Sequence, residues 1–318
     1  MKILITGGSG FIGTNVVEFY LSKGLEVRNI DIREPKQAEA AGCWVKCDIT
    51  DETTLTAAVQ EFNPEYIIHL AARTDLEGKT VEDYKANTVG VENILKAAAT
   101  LNGLRKILIT SSMLVCHTGY IPKDQFDYAP TTRYGESKVI TENTVWTHKP
   151  ACDWAILRPT SMWGSWFGVP YRNFFDIVKA GRYFHIGHRS CTKTYGYIGN
   201  AVYQIDRILM TQTVDEADKV FYLGDQPPVF IEEWANQIAA ELGRRVPRVP
   251  FWMMRCAALV GDVLLRMGIP FPMSSFRLRN MTTDNIVPLD NTYRIAPHPP
   301  VDRLTAIQRT LDWMEKVG

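Results

Sequence analysis

Apolar residues fall in short runs along the first half of the chain, separated by longer stretches in which apolar positions recur at helical spacing. Lys2-Ile3-Leu4-Ile5-Thr6, Leu25 to Ile30, Cys43 to Lys46, Tyr66 to Leu70, Lys106 to Thr110 and Trp154 to Leu157 read as six buried strands. Between them, Phe11, Ile12, Val16, Val17 and Leu21 mark one helix face, and Leu55, Ala58, Val59 and Phe62 another. The second of these helices starts from Thr50 or Asp51 as N-cap and is broken by Asn63-Pro64. Helices are also expected over Tyr84 to Leu101 and Pro130 to Trp146. Regular alternation of this kind predicts an α/β fold, a doubly wound parallel sheet of Rossmann type whose ligands bind at the carboxyl ends of the strands.

The second half is less regular. Helical stretches at Ala201 to Met210 and Phe230 to Leu242 flank a strand at Val220 to Leu223. The expected organisation is a nucleotide-binding domain over residues 1–165 and, over 166–318, a smaller substrate-binding lobe interleaved with the end of the sheet. Phe251 to Met267 is the most apolar stretch. Trp252, Cys256, Leu259, Val260, Val263, Leu264 and Met267 share one face, with Arg255, Asp262 and Arg266 on another. It is too short and too charged to span a bilayer, so core packing or a lid over the substrate is expected, with an interfacial membrane helix as the alternative.

Two constellations carry chemistry. The first strand leads into Gly7-Gly8-Ser9-Gly10-Phe11-Ile12-Gly13, which satisfies G-x-G-x-x-G and G-x-x-G-x-x-G. Such glycines let backbone N–H groups approach a pyrophosphate at a helix N-terminus, where the helix dipole favours anions. The second strand ends at Asp31, 18 residues after Gly13, where a ribose-binding carboxylate is expected. That placement predicts NAD, because a carboxylate repels a 2′-phosphate; Arg33, two residues on, is the feature that would admit NADP. The second constellation is Tyr134-Gly135-Glu136-Ser137-Lys138. Tyr134 and Lys138 stand one helical turn apart on a shared face, and an ammonium beside a phenol favours the phenolate, fitting the tyrosine for proton transfer near neutral pH.

Composition narrows the partners. With Lys+Arg 35 against Asp+Glu 35, nothing argues for nucleic acid or an anionic membrane, and 46% hydrophobic with 22% charged content fits a globular chain. The first residues already form the glycine-loop strand, so no secretory signal is expected. Six cysteines, Cys43, Cys47, Cys116, Cys152, Cys191 and Cys256, lack metal-ligand spacing and read as buried free thiols in a reducing cytoplasm; no metal site is expected.

Together these residues resemble the extended short-chain dehydrogenase/reductase superfamily, and within it the NAD-dependent epimerase/dehydratase family. Thr6 to Gly13 matches the family's cofactor loop almost letter for letter, Asp48-Ile49 its adenine-contacting pair, and His69-Leu70-Ala71-Ala72 its fourth-strand motif. Asn87 matches a supporting asparagine, Ser112 the catalytic hydroxyl at the end of the fifth strand, and Arg158-Pro159 through Gly164 the segment passing the nicotinamide. The resemblance implies that Tyr134 moves the proton, that Ser112 hydrogen-bonds the same substrate oxygen, and that Lys138 lowers the tyrosine pKa and binds the nicotinamide ribose. It further implies cofactor contacts from Gly7, Gly10, Phe11, Ile12, Gly13, Asp31, Arg33, Leu70, Ala71, Ala72, Asn87 and Pro159, and a homodimer.

Departures from the family pattern bear on the reaction. Sugar-nucleotide 4,6-dehydratases carry Asp-Glu where this chain has Met113-Leu114, which argues against dehydration, and the absence of a cysteine at Met113 argues against epimerising neighbouring carbons. Lys193-Thr194-Tyr195 stands where many sugar-nucleotide enzymes have Arg-Asp-Tyr, and Asn173 where an asparagine reaches a phosphate. Ser112, Met113, Asn173, Lys193 and Tyr195 are therefore the expected substrate contacts. The leading expectation is hydride transfer at C4 of a nucleotide sugar, by epimerisation or 4-keto reduction. The alternatives are a dehydrogenase of a sterol-like secondary alcohol, to which the apolar Phe251 to Met273 stretch points, and a non-catalytic NAD(P)-binding regulator.

Overall fold

The six apolar runs form strands in the computed structural model, which describes residues 1–188, 190–212 and 215–317. They are β1 (Lys2–Thr6), β2 (Glu26–Asp31), β3 (Trp44–Lys46), β4 (Tyr66–His69), β5 (Lys106–Thr110) and β6 (Asp153–Pro159). A seventh strand, Val220–Leu223, pairs with β6, giving a fully parallel sheet in the order seventh strand, β6, β5, β4, β1, β2, β3. The order reverses between β1 and β4, so the carboxyl ends Thr6 and His69, which are register partners, flank the crevice where such sheets bind ligands.

Alternation along β1 sets the two faces: Ile3 and Ile5 join one core and Leu4 the other. On the Leu4 side lie α2 (Glu52–Phe62), α3 (Lys85–Ala99) and α4 (Arg133–His148), with Leu55, Val59, Ile94 and Val145 fully buried. Asp51 caps α2, accepting from the Thr54 amide at 3.1 Å, and Asn63 ends it in the left-handed conformation. On the Ile3 side, α1 (Phe11–Ser22) packs against a helix from the second half, Ile198–Met210. The chain beyond residue 165 thus contributes both a strand and a covering helix to the nucleotide-binding layer.

The helices of the second half are α5 (Arg172–Lys179), α6 (Ile198–Met210), α7 (Ile231–Glu241), α8 (Phe251–Arg266), α9 (Ser275–Thr282), α10 (Asp290–Ile295) and α11 (Arg303–Lys316). Trp163, Phe167, Phe175 and Trp234 pack with α6 and α11 into the Ile3-side core. Core packing of α8 through its broad apolar face is not what forms. Its buried residues are Met254, Ala258 and Gly261, a narrow strip packed on α9, the segment before it and Ile186, and the opposite face, including Trp252, Leu259 and Val263, is exposed. Gly261 lies under the Phe271–Met273 segment, where a Cβ would overlap the Met273 carbonyl, and Met254 and Ala258 pack with Leu278 and Ile186, so the strip that packs is not the most hydrophobic one. All six cysteines are free, and Cys256 on this exposed face departs from the expectation of burial.

Candidate functional site

The glycine loop connects β1 to α1 around a left-handed Gly7 (φ +72°), where a side chain would strike the backbone of Leu70 and Ala71. Gly10 is the N-cap of α1 and has no side chain to occupy the helix's first-turn amides; its own N–H bonds the Gly7 carbonyl at 3.0 Å. Phe11, Ile12 and Gly13 form the first turn. Asp31 reaches this loop from the end of β2. It is buried, its Oδ2 accepts from the Ser9 amide at 3.0 Å, and its Oδ1 accepts from the Arg33 amide at 2.9 Å. The Arg33 side chain is largely exposed, with Nε 4.0 Å from Asp31. Asp48 is exposed and turns its carboxylate onto Thr50, whereas Ile49 is buried against Gly90. Leu70, Ala71 and Ala72 follow β4 and are half-buried.

Ser112 ends the segment after β5 and caps a single turn, Met113–Val115, accepting from the Leu114 amide at 3.1 Å. The first turn of α4, capped by Thr132, is laid directly against that turn. Gly135 permits the approach, because a Cβ there would overlap the Leu114 carbonyl. Tyr134 is thereby buried, and the Ser112 hydroxyl lies near enough to act on its phenol. Lys138, one turn on, is buried too, and its Nζ donates to the Thr110 carbonyl at 2.8 Å. The structure thus brings Ser112, Tyr134 and Lys138 together at the carboxyl end of β5.

Burial dominates the electrostatics. It pushes the Tyr134 phenol well above its ordinary value, the nearby Ser112 hydroxyl pulls the other way, and the Tyr171 and Tyr84 phenols add to the rise. Burial pulls Lys138 down to about 7, with Glu142 opposing, and pulls His69 down to about 3, with Lys138 adding to the fall. Lys138 is not among the groups that move the Tyr134 phenol here; its Nζ is turned to the Thr110 carbonyl. Among the described residues, the buried Nε2 of His69 and Oγ1 of Thr110 lack hydrogen-bond partners. Orphaned polar atoms beside a helix N-terminus free of side-chain caps are what a polar dinucleotide would satisfy, so this crevice fits one.

Asn87 holds the far wall. Its Nδ2 donates to Ser137 Oγ at 2.9 Å and to the Arg73 carbonyl, while Oδ1 accepts from the Arg73 amide. Pro159 closes β6 beside Leu223. Of the expected substrate contacts, Met113 lies 3.8 Å (Sδ) from Asn285 Nδ2, and the Asn285 backbone pairs with Lys193. Lys193 is half-buried, donates to the Asn280 carbonyl at 2.7 Å, and is lowered in pKa by burial. Tyr195 packs on Trp234 with ring centroids 5.0 Å apart. Asn173 is exposed in the first turn of α5.

Several members of this region escape sequence reasoning: Tyr84, Tyr171, Glu142 and Asn285. Glu142 shares the Lys138 face at helical spacing, a signal that was available. Tyr171 opens the Tyr171 to Phe174 segment that resembles a substrate-lobe stretch, and Asn285 carried none.

Comparison with known proteins accords with this geometry. Residues 3–180 match the NAD dependent epimerase/dehydratase family. The chain is 24% identical, over 87% of its length and 84% of the relative's, to an N-acetyl-alpha-D-glucosaminyl-diphospho-ditrans,octacis-undecaprenol 4-epimerase of Escherichia coli O157:H7. It is 27% identical to a 3-beta-hydroxysteroid dehydrogenase of Mycolicibacterium neoaurum, over 78% of this chain and 72% of that one. Its fold is shared by a UDP-glucose 4-epimerase from Thermotoga maritima solved with UDP-glucose (TM-score 0.74, 19% identity, 100% of this chain and 99% of that one). It is shared also by Bordetella bronchiseptica WbmG in complex with NAD and UDP (TM-score 0.74, 23% identity, 99% and 95%). With its glycine loop, parallel sheet and strand-end crevice matched over more than half its length, the chain belongs to the NAD dependent epimerase/dehydratase family.

Proposed function

We propose that this protein is an NAD-dependent enzyme that interconverts a secondary alcohol and a ketone at C4 of a nucleotide-activated sugar, as an epimerase or a 4-ketoreductase. The observation that carries this reading is the gathering of Ser112, Tyr134 and Lys138 at the carboxyl end of β5, where the turn that Ser112 caps packs on the start of the helix bearing the other two. Gly7, Gly10, Phe11, Ile12 and Gly13 would hold the pyrophosphate, Asp31 the adenosine ribose, Asp48 and Ile49 the adenine, and Leu70, Ala71, Ala72, Asn87 and Pro159 the nicotinamide half. When bound, NAD supplies the hydride acceptor and donor.

Tyr134 Oη takes the proton of the substrate hydroxyl and returns it to the ketone oxygen. Ser112 hydrogen-bonds that same oxygen and holds it at the phenol. Lys138, carrying its proton, stabilises the phenolate and reaches the nicotinamide ribose. Met113 offers no acid or base, which keeps the reading at redox chemistry rather than elimination. The carboxylate of Asp31, tied to the loop it faces, favours the free ribose hydroxyls of NAD over the 2′-phosphate of NADP. Lys193, Tyr195 and Asn173 would contact the substrate's diphosphate and sugar. Free thiols suit a reducing cytoplasm, where we place the enzyme.

A second reading, oxidation of an apolar secondary alcohol, is favoured by two observations: the Lys193 ammonium is already engaged by a backbone carbonyl, and the aromatic rings of Tyr195, Trp234 and Phe174 pack on one another. The deciding experiment incubates the protein and its Tyr134→Phe variant with NAD and a panel of UDP-hexoses, following inversion at C4 by NMR, with NADH and a UDP-4-keto sugar, following loss of NADH absorbance, and in parallel with NAD and 3β-hydroxysterols, following its gain. C4 inversion, or NADH-dependent reduction of a UDP-4-keto sugar, that disappears in Tyr134→Phe supports the first reading. Sterol oxidation with inert UDP-sugars supports the second.

A further inference from the structure

Two helices of the second half place an unusual surface beside the substrate end of the crevice. α8 buries Met254, Ala258 and Gly261 against α9, the segment before it and Ile186, and turns its broad apolar face outward. Trp252 is 67% exposed, Val263 56%, Met267 68%, and Phe276 at the start of α9 is 74% exposed; Leu259 and Val260 on α8 are exposed too. A monomeric globule gains nothing from such a contiguous patch, which marks an interaction surface. Charge identifies the partner. Between Gly243 and Asn280 the chain has seven arginines, no lysine and one acid, Asp262, whereas the chain as a whole is neutral. This segment is therefore six positive, and the rest of the protein six negative. Arg255 and Arg266 lie along one border of the exposed apolar strip of α8, and both are exposed. Asp262, one turn before Arg266, accepts from the amide of Ser275 at 2.9 Å, and Arg248 pairs with Glu232.

We propose that the α8–α9 face seats the protein on an anionic phospholipid surface, with Trp252, Leu259, Val263 and Met267 entering the interface and the arginines meeting lipid phosphates. An apolar strip bordered by arginines and fronted by a tryptophan suits a helix lying in the plane of the headgroups. No helix among the described residues is long and apolar enough to cross a membrane, so the contact is one of seating. The surface is coupled to the site. α9 runs into Asn280, whose carbonyl holds Lys193, and on to Asn285, which pairs with Lys193 and approaches Met113. A seated protein would thus turn the substrate end of its crevice toward the lipid.

The test uses the full chain and is independent of the substrate reading. Sedimentation is measured with vesicles of phosphatidylcholine alone, and with vesicles of about three parts phosphatidylcholine to one part phosphatidylglycerol, at low and high salt. Binding is expected to the anionic vesicles, to weaken with salt, and to fall by more than about ten-fold in Leu259→Glu/Val263→Glu and in Arg255→Ala/Arg266→Ala. These residues are exposed, so both variants should keep the circular dichroism and melting temperature of the parent. Brominated acyl chains should quench fluorescence in the parent and not in Trp252→Phe, which places the helix itself in the interface. Failure to bind anionic vesicles would overturn the proposal. So would salt-insensitive binding equal on both vesicle types, or a self-association in solution that Leu259→Glu/Val263→Glu abolishes, which would assign the face to a second copy of the chain.

Discussion

Glu142 and Arg158 form a doubly bonded ion pair behind the candidate site, Arg158 Nε donating at 2.8 Å and Nη2 at 2.6 Å, with both side chains excluded from solvent. Glu142 also accepts from Ser111 Oγ at 2.6 Å and from the Tyr128 hydroxyl at 3.0 Å, and Arg158 donates to the Tyr222 hydroxyl and the Gln125 carbonyl. The network ties α4, one turn beyond Lys138, to the ends of β5 and β6. Removing one partner leaves an uncompensated buried charge. Arg158→Met should therefore destabilise the fold by about 3–5 kcal/mol. Arg133→Ala, which breaks an exposed pair with Glu136, should cost under about 1 kcal/mol. Urea denaturation of the two variants makes the comparison, and equal midpoints would remove the network from the account of stability.

Tyr134→Phe should lower kcat by about 10²–10⁴-fold while leaving NAD affinity nearly unchanged, because the ring keeps its packing and loses only the proton carrier. Ser112→Ala should lower kcat by about 10²–10³-fold. Lys138→Met should weaken both turnover and NAD binding. Titration calorimetry with NAD, beside steady-state kinetics, separates the three. A Tyr134→Phe enzyme with full turnover would remove the proposed proton transfer.

Two buried bases make stability depend on pH in a stated direction. His69 falls from 6.5 to about 3 on folding and Lys138 from 10.5 to about 7, both chiefly through burial. In each window the unfolded chain binds the proton and the folded chain does not, so stability rises with pH. For His69 the gain runs from pH about 3 to 6.5, and for Lys138 from about 7 to 10.5. Melting temperatures across these ranges, in the cofactor-free protein, should show the upper slope flattened in Lys138→Met and the lower one in His69→Gln. Unchanged slopes would mean that neither group is held neutral by the fold.

Cofactor choice should follow the charge at Asp31. Asp31→Asn removes the negative charge and keeps only one of the two oxygens that accept from the Ser9 and Arg33 amides, so the preference for NAD over NADP should shrink by roughly ten-fold or more, in keeping with about 1.5–3 kcal/mol for a charge-assisted contact. Dissociation constants for both cofactors give the ratio. Tighter NADP binding by the parent protein would move the selecting role to Arg33.

Lys193 distinguishes the substrate readings. With a diphosphate substrate, Lys193→Ala should raise KM about ten- to a hundred-fold with little change in kcat, the signature of uniform binding lost. With an apolar alcohol, KM should stay as it is. Steady-state kinetics on whichever substrate turns over decides between them.

The sequence by itself determined the nucleotide-binding half. Apolar runs of the right length, the glycines after Lys2–Thr6, and the acid at the end of the second strand are local signals, and each became the element it predicted. The spacing of Tyr134 and Lys138 likewise fixed a shared helix face. Only the tertiary structure decided what those side chains meet: Lys138 donates to Thr110 across the sheet end, and burial sets the Tyr134 phenol more strongly than any neighbouring charge. The pairing of Glu142 with Arg158, and the approach of Asn285 to Met113, join residues that no local pattern relates. The helix Phe251–Arg266 makes the division clearest. Its periodicity shows which residues share a face, but whether a face is covered depends on what packs against it, and there the small residues Ala258 and Gly261 won the close contact while Trp252 and Val263 were left outside.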